Sequence, residues 1–339
     1  MFLKIGIDLG TANTNVYLPG KGIVLTEPTI VAYDQDHGQI LAVGKEAKEM
    51  VGRTPGNIII YRPLKEGVIA YYQATKAILR YFLNKVRLSR FFKPILVISV
   101  PAGITSTEEK AIKDAAIEAG AREVYPIREP LLAALGAELN IHQPVGNMIV
   151  NIGGGTTEVA VISLDGIVAW ESIKVAGDKM DEAIKEYLKR KLNLAVVDQT
   201  AEQIKISIGA AMFYRNGQKL NELSTEVKGV DLITGLPKVV KISVNQVVEA
   251  IQKELKEIVE AIKRVLAKTP PELVSDIMNN GIVLSGGVAL LRRLNELITN
   301  QTGVKTFVAD DPLFAVARGT GKVLEKIDIY RKVVLSHRK

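Results

Sequence analysis

Apolar and polar positions alternate along this chain in two rhythms, one with the period of strands and one with that of helices. Residues 5–18 (IGIDLGTANTNVYL) run apolar to Asp8, cross a stretch of small residues and become β-rich again; residues 148–162 (MIVNIGGGTTEVAVI) do the same. Each predicts strand, tight turn, strand. Laid over one another with Asp8 on Asn151, they place Gly10 on Gly153, Asn13 on Thr156 and Thr14 on Thr157. Between them, 95–100 (ILVISV) is wholly apolar and predicts a buried strand, broken by Pro101-Ala102-Gly103. Ser106 or Thr107 is expected to cap a helix running to about Glu118 and stopping at Gly120. Glu129-Pro130 opens a Leu/Ala-rich segment near 131–139, with proline at a helix start. Over 245–266, Val247, Val248, Ile251, Leu255, Ile258, Val259 and Ile262 recur at helical spacing and predict an amphipathic helix on a core. Gly281–Leu284 predicts a strand leading into Ser285-Gly286-Gly287, with a helix from near Ala289, while 215–244 reads as a small β-rich excursion. Strands alternating with helices indicate an α/β layout.

The matched turns suggest chemistry. Small residues let backbone approach a ligand closely, and N–H groups with Thr or Asn side chains suit phosphate oxygens. Either turn alone fits a plain hairpin. Two of them, each with a side-chain oxygen at the same place, point to related halves facing each other across a nucleotide. Ser285-Gly286-Gly287 adds a third glycine turn of the kind on which adenosine or phosphate rests.

Composition narrows the classes. A chain of 339 residues, 47% hydrophobic, suffices for two or more domains. It begins Met1-Phe2-Leu3-Lys4-Ile5, unlike a secretory signal, and no apolar run reaches the roughly 20 residues of a spanning helix. The lack of cysteine excludes disulfides, zinc-thiolate sites and cysteine nucleophiles, and fits a reducing cytoplasm. The three histidines, His37, His142 and His337, are far apart, which argues against a metal cluster or a histidine triad. The net charge of +7 fits an acidic partner or simply a solvated basic surface; with 5% aromatics and no recognition signature, no nucleic acid is expected.

Longer segments carry a family resemblance. IDLGTANT at 7–14, GRTPGNI at 52–58, REP at 128–130, GGGTTEVAVIS at 153–163, GDKMDEAI at 177–184, TAEQIK at 200–205 and DDPLFAVARGTG at 310–321 resemble MreB, the bacterial actin-like cell-shape family. Sugar kinases and heat-shock chaperones of the same superfamily share the hairpins but not the other segments. The resemblance runs from about residue 3 to 325. It implies an α/β, actin-like ATPase fold of two pseudo-symmetric halves, each with an inserted subdomain, and a nucleotide in the central cleft. Subdomain IA would comprise 1–32, 66–144 and 310–339, IB 33–65, IIA 145–180 and 243–309, and IIB 181–242. It also implies ATP/ADP with Mg²⁺, self-assembly into antiparallel paired protofilaments, a cytoplasmic location on the inner face of an anionic membrane, and other actin-like filament or cell-shape proteins as partners.

Roles follow position by position. Ala12, Asn13 and Thr14 would hold phosphates from the first hairpin, and Gly153, Gly154, Gly155, Thr156 and Thr157 from the second. Asp8 would order Mg²⁺ through its water shell, as suits an ion that keeps its waters. Glu129 would position and help activate the attacking water, supported by Thr157 or its neighbour Thr156. By the same resemblance Gly177 and Asp178, in the GDKMDEAI segment, would belong to the nucleotide site. Glu202 and Lys205 would line the adenosine, although by spacing they fit a surface ion pair equally well. Gly286 and Gly287 would lie against adenosine and phosphates.

Two positions depart from the family pattern. Asn151 stands where the family has an aspartate of the Mg²⁺ environment; losing one preorganised electrostatic group commonly costs on the order of 10²–10³ in rate, so slow ATP hydrolysis is expected. Val288 replaces a usual third glycine, restricting approach to the nucleotide unless its side chain points away. In NKVRLSRFFKP, Phe91 and Phe92 sit among Lys85, Arg87, Arg90 and Lys93, where the family carries a bilayer-inserting loop. Two buried Phe would contribute about 1.5–3 kcal/mol each and each basic residue about 1 kcal/mol on an anionic leaflet; otherwise the Phe pack beneath the adjacent strand. Three functions remain to be separated: a filament timed by hydrolysis, a scaffold filament that binds ATP with negligible hydrolysis, and a small-molecule kinase, for which no acceptor base can be named.

Overall fold

The computed structural model describes residues 3–65, 67–86, 93–214 and 223–327. Two five-stranded sheets share one plan. In the first, Glu123–Arg128, Ile95–Val100 and Lys4–Leu9 run parallel; Lys4–Leu9 then pairs antiparallel with Asn13–Leu18, and that strand with Gly22–Pro28. In the second, Thr306–Val308, Ile282–Ser285 and Asn147–Ile152 run parallel; Asn147–Ile152 pairs antiparallel with Thr157–Ser163, and that strand with Gly166–Ile173. Even the register repeats. Asp8 lies opposite Asn15 and Leu9 opposite Thr14, as Asn151 lies opposite Glu158 and Ile152 opposite Thr157. The repeat legible in two hairpins is therefore a repeat of whole sheets.

Helices cover both faces of the inner strands, which is why Ile95–Val100 and Asn147–Ile152 are buried throughout. Tyr72–Val86 and Ser106–Glu118 bury Ile78, Leu79, Phe82 and Ile112 against Ile5, Ile7 and Leu96. Val244–Lys268 lays the predicted stripe of Val247, Ile251, Leu255, Ile258 and Ile262 on the second sheet. That core continues through Ile184 and Leu188 of Gly177–Leu192 to Val227 and Ile242 of a hairpin, Ser224–Asp231 with Pro237–Ser243. A third core lies between the sheets. Helices Glu129–Gly136 and Ala315–Glu325 pack there with Val97 and Ile127 on one side and Ile149, Ala160 and Ile162 on the other. Strands Val31–Asp34, Gln39–Val43 and Ile58–Tyr61, with helix Lys45–Met50, enclose a small core of Ile30, Ala32 and Ala47.

Two expectations shift. The cap of the Ser106–Glu118 helix is Thr105: its side chain accepts from the Glu108 N–H while Glu108 accepts from the Thr105 N–H at 2.9 Å, a reciprocal box one residue earlier than expected. After Ser285 no α-helix starts at Ala289. Gly287–Leu290 makes one 3₁₀ turn, Leu291 is extended, Arg293 is left-handed at φ 63°, and only Leu294–Thr302 is α-helical.

Candidate functional site

The two hairpin turns meet face to face. A Cβ placed on Gly154 would lie 2.9 Å from the Ala12 Cβ, and one on Gly155 would lie 2.7 Å from the Thr11 Oγ1. Gly154 and Gly155 therefore leave the room that Ala12 and Thr11 of the first turn occupy. Their carbonyls are tied back in similar fashion. Gly10 O accepts from the Thr29 hydroxyl at 2.7 Å and Ala12 O from the Thr29 N–H at 3.0 Å. Gly153 O and Gly154 O accept from the N–H groups of Gly177 (3.1 Å) and Asp178 (2.8 Å), at the start of helix Gly177–Leu192. The Gly67 N–H reaches the Thr11 hydroxyl at 3.3 Å, bringing the loop at Gly67 onto the same turns. Asn13 is exposed, whereas Thr14, Thr156 and Thr157 are buried. Because Thr29 donates to Gly10 O, Thr14 is the donor in the 2.8 Å Thr14–Thr29 bond; Thr157 donates to Val175 O at 2.6 Å.

Behind the turns lie Asp8, Glu129 and Asn151, each at the end of an element that fixes it. Asp8 is the penultimate residue of its strand. It accepts from Asn15 Nδ2 at 3.0 Å and from the Ser99 hydroxyl at 3.2 Å, and Asn15 is itself held by Thr26 at 3.0 Å. Burial pushes its carboxyl up to about 6, against the pull of these two donors; among the described residues no cation pairs with it. Glu129 starts its helix, with Pro130 following. Burial, then the charges of Glu158 and Asp8, drive its carboxyl well above the usual range, and the Asn151 amide acts against them. Asn151 Nδ2 donates to Glu129 Oε2 at 3.3 Å, while its Oδ1 accepts from the Ser285 hydroxyl at 3.1 Å.

Lys205 bonds Asp181 and Gly177 O at 2.8 and 2.9 Å, and Glu202 faces Lys48 at 3.5 Å. The mutual ion pair that their spacing allowed is not formed. Gln199 also donates to Lys48 O at 3.3 Å, so the helix Asp198–Ile208 meets the helix Lys45–Met50 across the cleft. Burial raises the Asp181 carboxyl to about 6, opposed by Lys205. Gly286, at φ 83°, passes so close that a Cβ would sit 2.3 Å from Ile152 O; Gly287 is exposed beside Leu313.

The family model for MreB/Mbl protein matches residues 3–332. The chain belongs to the MreB/Mbl family. It is 48% identical to the cell shape-determining protein Mbl of Bacillus cereus over 330 residues, 97% of this chain and 98% of that one. MreB5 of Spiroplasma citri, solved with ADP, superposes with TM-score 0.92 at 37% identity, covering 98% of this chain and 99% of that one. A MamK double helical filament matches at TM-score 0.80 and 22% identity over 96% of this chain and 99% of that one, and supports the fold alone. The architecture is thus the actin-like ATPase fold.

Against the MreB/Mbl pattern, Val288 is 6% exposed and joins the core of the second sheet, its Cγ2 3.3 Å from a Cβ built on Gly177. Its side chain packs beneath the Gly177 turn. Several site residues lay beyond sequence reasoning: Ser99 and Ser285, which hold Asp8 and Asn151, and Asp181, which holds Lys205. Glu158 is another; fully buried, it accepts from the Ala102 N–H at 2.8 Å and from Ser172 at 2.6 Å. A faint signal existed for the serines, since both ILVISV and IVLS carry one at the end of an apolar run. Phe91 and Phe92 lie outside the described residues.

Proposed function

We propose that this chain binds ATP with Mg²⁺ between its two halves and assembles into filaments that organise cell shape, hydrolysing ATP slowly. The observation that carries this reading is the pair of symmetric turns packed so closely that Gly154 and Gly155 have no room for a side chain against Thr11 and Ala12, with Asp8 and Glu129 behind them. With the carbonyls of Gly10, Ala12, Gly153 and Gly154 tied back, the N–H groups of both turns other than that of Gly153, which donates to Thr156 O at 3.0 Å, would with Asn13 and Thr156 be what the cleft offers to phosphates. Asp8, a buried carboxylate fixed by two neutral donors, fits a hydrated Mg²⁺, which would offset phosphate charge when bound. Glu129 orients a water and takes its proton as the water oxygen bonds to the γ-phosphorus and ADP leaves. Gly177, Asp178, Glu202, Lys205, Gly286 and Gly287 form the adenosine side, and the subdomain boundaries given above describe how the halves divide.

Family membership supports assembly. Within the same proposal, filaments lie on the inner face of the membrane through Phe91 and Phe92. Electron microscopy with ATP and Mg²⁺, and no metabolite present, should reveal polymers, and Asp8→Ala should abolish them. Wild-type protein that stays monomeric with ATP at concentrations where it binds the nucleotide would defeat this reading. The scaffold reading is favoured by Asn151; phosphate released in step with assembly decides against it.

A further inference from the structure

Pro101-Ala102-Gly103 follows the first-sheet strand Ile95–Val100, and each of its three residues meets a different partner. Pro101 lies against Gly67: a Cβ built on Gly67, whose φ is 80°, would stand 2.7 Å from the Pro101 Cγ and 3.3 Å from the Thr156 Cγ2. The Ala102 N–H donates across to the second sheet, to Glu158 Oε2 at 2.8 Å. Gly103 lies flat on the edge strand Gly166–Ile173, where a Cβ would come 3.3 Å from the Trp170 Cζ3 and 3.7 Å from the Ser172 Cβ.

Glu158 anchors this loop. In the repeat of the two hairpins it corresponds to Asn15, which bonds Asp8 inside its own hairpin. Glu158 reaches out instead, with Oε2 on Ala102 and Oε1 on the hydroxyl of Ser172, its register partner on the edge strand, at 2.6 Å. A carboxyl at 0% exposure is costly unless its oxygens are bonded, and here both are. The anchor does not depend on ionisation. Burial pushes the Glu158 carboxyl up, and a neutral carboxyl still accepts from Ala102 while its own hydroxyl turns to Ser172. From Glu158 the contacts run through Ala102 and Pro101 to Gly67. Gly67 in turn touches both phosphate-facing turns, the first through its N–H to the Thr11 hydroxyl at 3.3 Å and the second at Thr156.

We propose that Glu158 is a positioning residue for the two turns: by fixing the 101–103 loop on the second sheet it holds Gly67 between Thr11 and Thr156, and so sets the spacing at which both turns reach one nucleotide. This role rests on the nucleotide cleft proposed above. Its test joins the affinity of the full chain for ATP with Mg²⁺ to acrylamide quenching of Trp170, the only tryptophan in the sequence and one that the loop partly covers. Turns held at the wrong spacing cannot both grip, so Glu158→Ala is expected to raise the Kd for ATP roughly tenfold or more, and Trp170 should become easier to quench as the loop lifts. Glu158→Gln, whose carbonyl can accept from Ala102 while its amide reaches Ser172, should return both readouts to wild type. Gly103→Val, which pushes the loop off Trp170 and leaves Glu158 in place, should weaken ATP in the same direction, and it carries the test if Glu158→Ala does not fold. Ile277→Ala is the control for lost stability alone: it opens the second core beside Asp276, which bonds the Gly146 N–H before the start of Asn147–Ile152, and it should keep wild-type affinity. The role is overturned, and the nucleotide cleft left standing, by any of four results. These are an alanine variant that binds ATP within about twofold of wild type, ATP lost with Trp170 quenching unchanged, a glutamine variant as weak as the alanine, or Ile277→Ala weakening ATP as much. Wild-type protein that binds no ATP overturns both.

Discussion

Gly319 offers the sharpest quantitative test of how the helix carrying Glu129 is held. Helices Glu129–Gly136 and Ala315–Glu325 touch backbone to backbone, and glycine makes this possible on each. A Cβ on Gly319 would lie 2.0 Å from Leu132 O, and one on Gly136 would lie 1.7 Å from Ala315 O. For Gly319→Ala, two effects oppose each other. Alanine in a helix is favoured over glycine by about 1 kcal/mol. Against this, the Leu132 carbonyl must retreat by about 1.4 Å, from 2.0 Å to an ordinary 3.4 Å, and it is buried backbone rather than the end of a flexible side chain. Overpacking of this kind costs roughly 3 kcal/mol, so the net loss is about 2 kcal/mol, a fall of several degrees in Tm. Because Leu132 lies one turn from Glu129, the same displacement should also lower kcat, by as much as about 10²-fold. Gly56 is the control: nothing lies within 4 Å of a Cβ built there, and Gly56→Ala should be neutral or stabilise by roughly 0.4–1 kcal/mol. Melting followed by circular dichroism, with phosphate release, provides the readout. A Gly319→Ala protein as stable as Gly56→Ala would refute the close-packed crossing and the account of how Glu129 is placed.

Two further outcomes follow from the same geometry. Asp8 holds its proton more tightly when folded, at about 6 against 3.8, so its ionised form costs about 3 kcal/mol above pH 6, and this cost fades as pH falls through 6 toward 4; nucleotide-free protein should melt higher at pH 5.5 than at pH 7.5, and parallel profiles for wild type and Asp8→Asn would count against the assignment. Phe91→Ser/Phe92→Ser should lose sedimentation with anionic liposomes, whereas Lys85→Ala should keep it, since Lys85 is already tied to buried Glu27 at 3.0 Å and lies over the Tyr81 ring; equal binding by the Phe double variant would remove that loop from the membrane account.

The parts of this molecule legible in its sequence are those written locally. An apolar run ending in Asp8 or Asn151, followed by glycines and threonines, declares a hairpin without reference to anything distant, and the stripe over 245–266 declares its helix in the same way. Contacts between separate elements were not legible. Ser99 reaches Asp8 across 91 positions and Ser285 reaches Asn151 across 134, and only parallel strand pairing brings them together. The cap at Thr105 was missed by one residue because TSTEE offers several hydroxyls, and only Thr105 has a glutamate three residues on that folds back to its own N–H. The 3₁₀ turn at Gly287–Leu290 was read as the start of a helix because its composition suits one; the left-handed Arg293 that delays the helix is held by Glu296 and the Phe213 carbonyl, a long-range circumstance.

The pseudo-symmetry gives the proposed cleft two related but unlike sides. Equivalent serines, Ser99 and Ser285, stand on equivalent parallel strands and each donates to the polar residue closing its hairpin strand. In the first half the chain of donors ends on Asp8, the carboxyl proposed above for a hydrated cation. In the second half it passes through the Asn151 amide and ends on Glu129, so the orientation of a serine is handed across to a residue on another element. The same strand plan, with the same serine at the same register, thus ends in an acid on one side and in an amide that reaches a second acid on the other, which is where the two halves differ.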